Sequence, residues 1–503
     1  MAEIIQDAYP LPTQQAGTKS VYTPPNTAGD HSIGTFPTAH QQNRLNDYEY
    51  FTRLFIGNHF EAFNVRINDI RFTKAYQKLR YVMVNYAGLI SKVIADFLFS
   101  EAPTFKANKN NDQKFLDALI HENNLHAQNY ESALSNSYLG DAVYKIRVGK
   151  RNINDDERTV IIEDISPTIY FPIIDGFNVR SEPEVKELAW TFTKDEKTYL
   201  RKEIHHAGFI DNKVFLMEKD KIMGEVELSI LGIPDLLPRI DTGINRSLLV
   251  HVPNWKTGNR YFGISDYHDL DKLFYAINSR MTAVDNILDK HSDPILMVPT
   301  GVIKEDGTVN KKALGVIEIS EGENSKPEYI VWDASLENAF RELEKLTENL
   351  LMVAEISPDV FGMGKGQNDS GRALKLKIMR TIAKAARKKL YYDHALKEVL
   401  YTAMLMAKTW KLKVGGLELE GQPYVPDIEW QDGIPIDNSE QVDVEAKRLD
   451  SGTTTIVDSI MRLDSIDEDQ ARLKVIEIKD ENAIILPTNT PKPFIPPAGN
   501  NTQ

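Results

Sequence analysis

Ser357 to Lys377, SPDVFGMGKGQNDSGRALKLK, sets three glycines and a lysine close together ahead of a long helical pattern. Such a loop can cradle phosphate, because glycine lets the backbone approach an anion and the unpaired N–H groups of a helix start point at it. The spacing tests the idea. A phosphate loop needs G-x-x-x-x-G-K-[ST], but Gly364-Lys365 is followed by Gly366, so no hydroxyl is placed to hold magnesium. The dinucleotide pattern fails too, since after Gly362-Met363-Gly364 the place of its third glycine, three residues on, is taken by Gln367. An amphipathic helix precedes the loop where both motifs require a buried strand.

Other combinations that could carry chemistry fare no better. Glu203 with His205-His206 hints at a metal, yet adjacent strand residues face opposite sides, which separates the two imidazoles. Asn152, Asn154 and Asp156 with Glu163 approximate a calcium loop, but Glu157 stands where its glycine belongs and the flanks read as strands, so a polar hairpin turn is expected. There is no G-x-S-x-G elbow and no H-E-x-x-H pair. Carboxylates are plentiful, though sequence alone pairs no two of them across a site. The residues therefore argue for no enzyme and no cofactor.

Composition narrows the classes further. A chain of 503 residues with 42% hydrophobic and 26% charged residues suits an ordinary globular protein of several units. Its net charge of -14 disfavours a protein that coats DNA by neutralising phosphate. With no cysteine, disulfides, thiol nucleophiles and cysteine-bound zinc are excluded. The opening MAEIIQDAYPLP lacks the build of a secretory signal, and Tyr86 to Phe99 is too short and too interrupted by Lys92 and Asp96 to span a bilayer, so a soluble protein is expected.

The elements that must position the glycine loop emerge from periodicity. Residues 1 to about 45, rich in Pro, Thr, Gln, Asn and Gly, cannot bury enough surface to offset their ordering entropy and read as a flexible arm; the end, PTNTPKPFIPPAGNNTQ, reads likewise. Helix is expected from about Asp47 to Phe105, strongest in Ala75 to Phe99, where Tyr81, Val84, Leu89, Val93 and Phe97 recur near every third or fourth place. A second helix covers about Gln113 to Tyr138 and stops at Gly140. The period then falls to two, and AVYKIRV, TVIIEDI, ELAWTFT, YLRKEIHH and NKVFLME predict an antiparallel sheet over 141 to about 230. Ile264 to about residue 291 predicts a helix about 40 Å long. Short strands fill 294 to 332, and Leu336, Phe340, Leu343, Leu346, Leu350 and Val353 give a returning helix. After the glycine loop, one very long helix is expected from Gly371 to Trp410. It carries Lys375, Lys377, Arg380, Lys384, Arg387, Lys388 and Lys389, which suit either a solvated face or one turned to DNA or a neighbour. The acidic remainder predicts helices near 438 to 450, 453 to 463 and 467 to 479, and no internal repeat emerges. A lone helical hairpin with a β knob buries too little surface and needs repeated copies beside it.

Several stretches in this order carry a resemblance: NYAGLISKVIADFLFSEAPTF, SNSYLGDAVYKIRV, VHVPNWKTGNRYFGISDYHDLDKLFYAINS, ASLENAFRELEKL and then SPDVFGMGKGQNDSGRALKLK. From about Asp47 to Asn482 the chain resembles the portal proteins of tailed bacteriophages. The resemblance implies an α+β subunit: a flexible arm over 1–46, a wing of helices and antiparallel sheet over 47–263, stem helices over 264–291 and 334–356, and a β-rich clip over 292–333. A tunnel loop at 357–370, a long wing helix and returning strand over 371–437, a crown over 438–482 and a flexible tail over 483–503 complete it. It further implies a homo-oligomeric ring, dodecameric in the virion, at one capsid vertex, assembled in the host cytoplasm. Double-stranded DNA would pass through the ring, and its partners would be the large terminase, a head-completion or tail adaptor, and the major capsid and scaffolding proteins, with no membrane involved.

Under that resemblance Gly362, Met363, Gly364, Lys365, Gly366, Gln367, Asn368 and Asp369 form the channel loop, with Ser370 as the cap of the next helix. Lys365 touches either DNA backbone or a carboxylate of the adjacent subunit, and Arg372, Lys375, Lys377, Arg380 and Lys384 are further candidate contacts to DNA or a subunit. Overall acidity suits a conduit that must release a polyanion. The competing readings are a metal-dependent nuclease or other enzyme with an unrecognised carboxylate site, and a capsid adaptor that forms no channel.

Overall fold

The computed structural model describes residues 34–66, 81–107, 110–151, 157–233, 236–292, 295–299, 316–319, 328–330, 336–363, 371–431, 438–464, 466 and 468–485. Two compact units emerge, one drawn from Met1–Gly366 and Leu376–Gly433, the other from Gln367–Lys375 and Ile434–Gln503.

Order begins earlier than composition predicts. A short strand β1 (Gly34–Thr35) is followed by Phe36, which is buried with Phe171, Ala189, Leu200, Phe215 and Met217. Helix α1 (Ala39–Phe55) opens inside the expected arm because Thr38 and Gln41 form a reciprocal capping box: the Thr38 hydroxyl accepts from the Gln41 N–H, and the Gln41 side chain accepts from the Thr38 N–H at 2.9 Å. Helix α2 (His59–Arg66) follows.

The helix expected over 75–99 is shorter. Residues 75–80 lie outside the described set, and α3 (Tyr86–Phe99) starts only after Asn85, whose side chain accepts from the Gly88 N–H at 2.9 Å. Val82 and Val84 donate their N–H groups to the side chains of Thr282 and Asn278 at 3.1 and 3.0 Å, so distant residues hold this segment extended. After β2 (Thr104–Lys106), the second predicted helix is two, α4 (Asn110–Glu122) and α5 (Leu125–Leu139). The break falls where Asn124 takes the left-handed conformation (φ 47°) and the Asn123 side chain accepts from the Ile162 N–H at 2.9 Å. Gly140 ends α5 with φ 94°, as expected.

The strands follow the period of two, but they divide between two sheets. They are β3 (Asp141–Gly149), β4 (Thr159–Ile165), β5 (Tyr170–Pro172), β6 (Lys186–Lys194), β7 (Lys197–His205), β8 (Phe209–Glu218), β9 (Lys221–Val226), β10 (Arg239–Asp241) and β11 (Leu249–Pro253). One antiparallel sheet runs β1-β9-β8-β7-β6-β5 with β10 added on β8; the other runs β11-β3-β4. A 2.6 Å ion pair from Lys145 to Glu203 joins them.

Residues 264–270, expected as helix, are not helical, with turns over 266–270, and α6 (Asp271–Ser292) begins afterwards. The small sheet β13-β12-β14 comprises β12 (Ile295–Pro299), β13 (Val316–Ile319) and β14 (Glu328–Ile330), with β12 parallel to β13 and antiparallel to β14. Helix α7 (Leu336–Val353) returns beside α6, tied to it by Arg280 and Glu342 at 2.8 Å. The long helix is broken once, into α8 (Gly371–Lys377) and α9 (Met379–Thr409), at buried Ile378. The second half of α9 buries Leu396, Val399, Leu400, Ala403 and Met404, while β15 (Asp427–Glu429) pairs with β2.

The second unit contains α10 (Asn438–Asp450), α11 (Ile456–Asp464) and α12 (Glu468–Ile485). Glu445, 6% exposed, bonds Arg462 through both oxygens at 2.9 and 2.8 Å and Arg448 at 3.1 Å.

Two glycines allow the tightest backbone approach. The Asn254 N–H donates to the Gly140 carbonyl at 2.8 Å, and a Cβ on Gly263 would lie 2.0 Å from that same oxygen. Backbone on backbone cannot yield as a side chain tip does. We expect Gly263→Ala to cost at least about 3 kcal/mol, the upper end for overpacking, in denaturant unfolding. Gly224→Ala, where a Cβ meets nothing within 4 Å, serves as the control; equal midpoints for the two variants would contradict the close-approach argument.

Candidate functional site

The root of the glycine loop is built where α7 ends against α9. Glu355 leaves the helix with φ 59°, a left-handed conformation uncommon for a residue with a side chain. Its carboxylate is held by Arg380 at 3.0 Å and by Arg387 at 2.9 and 2.7 Å, two side chains from one face of α9. Ser357 donates its N–H to the Thr381 hydroxyl at 2.9 Å and caps a 3-10 turn over Pro358–Phe361. That turn ends at Gly362 with φ 68°, a left-handed conformation that favours glycine. Lys377 approaches Asp359 at 3.6 Å.

Below this lies a buried charge cluster. Asp266, in the turn before α6, receives Lys384 at 3.1 Å, Lys388 at 2.6 Å and the Ser137 hydroxyl of α5 at 2.7 Å. Lys384 also donates to the Ala354 carbonyl at 2.8 Å, and Lys388 to the Asn254 side chain. Burial acts to raise the Asp266 carboxyl, but Lys384 and Lys388 outweigh it and hold the group well below its ordinary value of 3.8. Burial pushes the Lys388 ammonium down to about 8, against the pull of Asp266. A cavity of about 550 Å³ lies alongside, bordered by Trp255, Asp269, Glu355, Arg387, Leu390 and Tyr391.

The candidate residues from the sequence divide accordingly. Gly362 and Met363 are placed at the loop root, with Met363 60% exposed. Gly364, Lys365, Gly366, Gln367, Asn368, Asp369 and Ser370 lie outside the described residues. Arg372 and Lys375 belong to α8, and Lys375 is exposed. Lys377 and Arg380 are engaged with Asp359 and Glu355. Lys384 and Lys388 correct the expectation of a solvated or DNA-facing stripe: they are 7% and 3% exposed, and their ammoniums are committed to Asp266 inside the subunit. Asp266, Glu355 and Thr381 escaped notice because no spacing marks them; their partners lie 24 to 129 residues away.

An enzyme-like arrangement elsewhere is a structural one. Asp141 accepts from the Tyr48 hydroxyl at 2.6 Å and the Gly263 N–H at 2.8 Å and contacts His251 at 2.7 Å, with the imidazole stacked on Tyr170 and Tyr261. Both Asp141 oxygens are occupied in joining α1, β11 and the turn before α6. His205 is buried while His206 stacks on Phe209, in keeping with opposite faces. Among the described residues no group of three or more His, Asp or Glu could hold a metal ion, and no helix is long and apolar enough to cross a membrane.

A family model described as phage portal protein, SPP1 Gp6-like, matches residues 36–482. The chain belongs to the phage portal protein family. No curated protein matches it. The portal match begins at Phe36, the same residue that enters the core ahead of α1. The mixed α and β content accords with the expected α+β class.

The Asp266 cluster yields a signed prediction. Asp266→Ala leaves two buried ammoniums without their carboxylate and is expected to cost about 3–5 kcal/mol. Because the folded carboxyl titrates below its unfolded value, it contributes stability above the unfolded value that is lost as pH falls below it. Asp266→Asn is therefore expected to lower the melting temperature at pH 7 and to flatten its decline between pH 5 and 3; an unchanged acid slope would contradict the assignment.

Proposed function

We propose that this chain forms a ring-shaped channel at one capsid vertex, through which double-stranded DNA is packaged and later ejected. In this reading the described residues 34–263 and α9 supply the wing, α6 and α7 the stem, β12 to β14 the clip, residues 357–370 the tunnel loop and α10 to α12 the crown. The observation that carries it is the loop root: a two-helix stem delivers its chain, through an arginine-clamped glutamate, to a glycine loop that leads into the long helix. Such a root holds the chain where it enters the glycine segment.

Two features favour assembly of identical copies. Among the described residues the second unit buries no large apolar side chain, yet it exposes Val442, Val444, Ile456, Leu473, Ile476 and Ile478 by 41% to 67%. Aliphatic surface of that kind calls for a partner, and a ring of the same chain supplies one at every subunit. The net charge of -14 suits passage without retention, since a conduit needs contacts weak enough to release DNA. We assign the ring twelve copies in the virion. Its proposed partners are the large terminase during filling, then a head-completion or tail adaptor, with major capsid and scaffolding proteins around it. Lys365 is proposed to meet DNA phosphate or a carboxylate of the neighbouring copy.

The test is the particle itself. Purified protein is expected to give rings with a central hole in negative stain and a mass of many subunits; a strict monomer under all conditions, or metal-dependent cleavage of DNA, would overturn the reading in favour of an adaptor or a nuclease. Within the channel reading, Lys365→Glu is expected to reduce packaged DNA or its retention, and unchanged packaging and retention would remove Lys365 from the contact set.

A further inference from the structure

The channel reading leaves Lys384 without a role, because its ammonium is turned away from the surface. Its position is unusual in one respect: it bonds two segments that enter and leave the helical hairpin. One is Asp266, four residues before Leu270 and the start of α6; the other is the carbonyl of Ala354, just beyond the end of α7. Lys384 lies on α9 between Thr381, which accepts from the Ser357 N–H and donates to the Glu355 carbonyl at 3.3 Å, and Arg387, which holds the Glu355 carboxylate. Positions 380, 384, 387 and 388 share one helical face, so a single stripe of α9 grips both ends of the hairpin at once.

We infer that Lys384 is the positioning residue that couples the entry of the α6–α7 hairpin to the root of the glycine loop. The chemistry suits that task. Here the ammonium donates a hydrogen bond to the carbonyl while its charge pairs with the carboxylate, so a shift of either segment alone strains the contact to the other. Lys388 also binds Asp266, but its second partner is Asn254 on the sheet side, so it anchors the entry without reaching the loop. Thr381 reaches the loop without touching the entry. Among these α9 side chains, Lys384 alone has contacts to both segments. The consequence for DNA passage rests on the channel reading, whereas the coupling itself concerns the subunit.

The test uses the full chain and residue-resolved hydrogen exchange, with Lys384→Met and Thr381→Val as the variants. Methionine keeps volume and leaves Asp266 paired with Lys388 and Ser137, so no buried charge is stranded. Lys384→Met is expected to speed exchange in two separated stretches, 265–268 and 354–357, by about tenfold, the equivalent of one lost hydrogen bond, while β7 and β8 stay unchanged. Thr381→Val is expected to act on 355–357 only. A response of Lys384→Met in just one stretch, or equal acceleration by Thr381→Val in both, would overturn the coupling role. So would a general rise that includes β7 and β8, up to failure to fold, since Lys384 would then merely hold the subunit together. None of these outcomes depends on ring formation or DNA, so they separate this inference from failure of the channel reading.

Discussion

The carboxylate of Asp266 is the point at which the helices, the sheets and the loop root meet. Its two oxygens receive a hydroxyl from α5 and two ammoniums from α9, while its own N–H donates to the Ser137 carbonyl at 2.9 Å. Removing three charges from water is costly, and the arrangement survives only because each has a partner and the lysines have second acceptors in Asn254 and Ala354. The geometry is thus exacting: α9 must lie at one height along α5, with the turn before α6 between them. Once α9 is so placed, Arg380 and Arg387 face the end of α7, and the root of the glycine loop has one position.

Close backbone approach serves the same junction. Gly140 ends α5 and Gly263 precedes the Asp266 turn, and the absence of a side chain at both lets these segments touch where Asn254 bonds the Gly140 carbonyl. Asp141, next in sequence to Gly140, accepts the Gly263 N–H and the Tyr48 hydroxyl. Two carboxylates, Asp141 and Asp266, therefore pin the same turn from either side, one toward the sheet and α1, the other toward α9. The helical hairpin therefore begins at a turn that polar contacts over-determine.

Much of the fold is legible in the residues themselves. Alternation in AVYKIRV, TVIIEDI and NKVFLME matches β3, β4 and β8, and Gly140 marks a helix end because a left-handed cap favours glycine. The misplaced boundaries share a cause: at Val82, Val84 and Asn123 backbone or side-chain groups bond to residues far away in the chain, which outweighs local periodicity. Composition makes the arm too long because it averages over a window, whereas Phe36 enters the core as a single residue and Thr38 caps a helix with a single hydroxyl.

By itself the sequence determined the class of elements, the glycine loop and its failure as a phosphate site, and, through several ordered stretches, the portal family. All of these rest on residue type and short spacing, which a chain displays before it folds. Tertiary structure alone decided which cations of the α9 stripe face outward. Lys384 and Lys388 resemble Arg380 and Arg387 in type and spacing, and only the arrival of Asp266 from 118 residues upstream of Lys384 separates two buried lysines from two exposed arginines. A lone buried ammonium is too costly to expect from sequence; a carboxylate supplied from a distant turn removes that cost, and no local pattern records its approach.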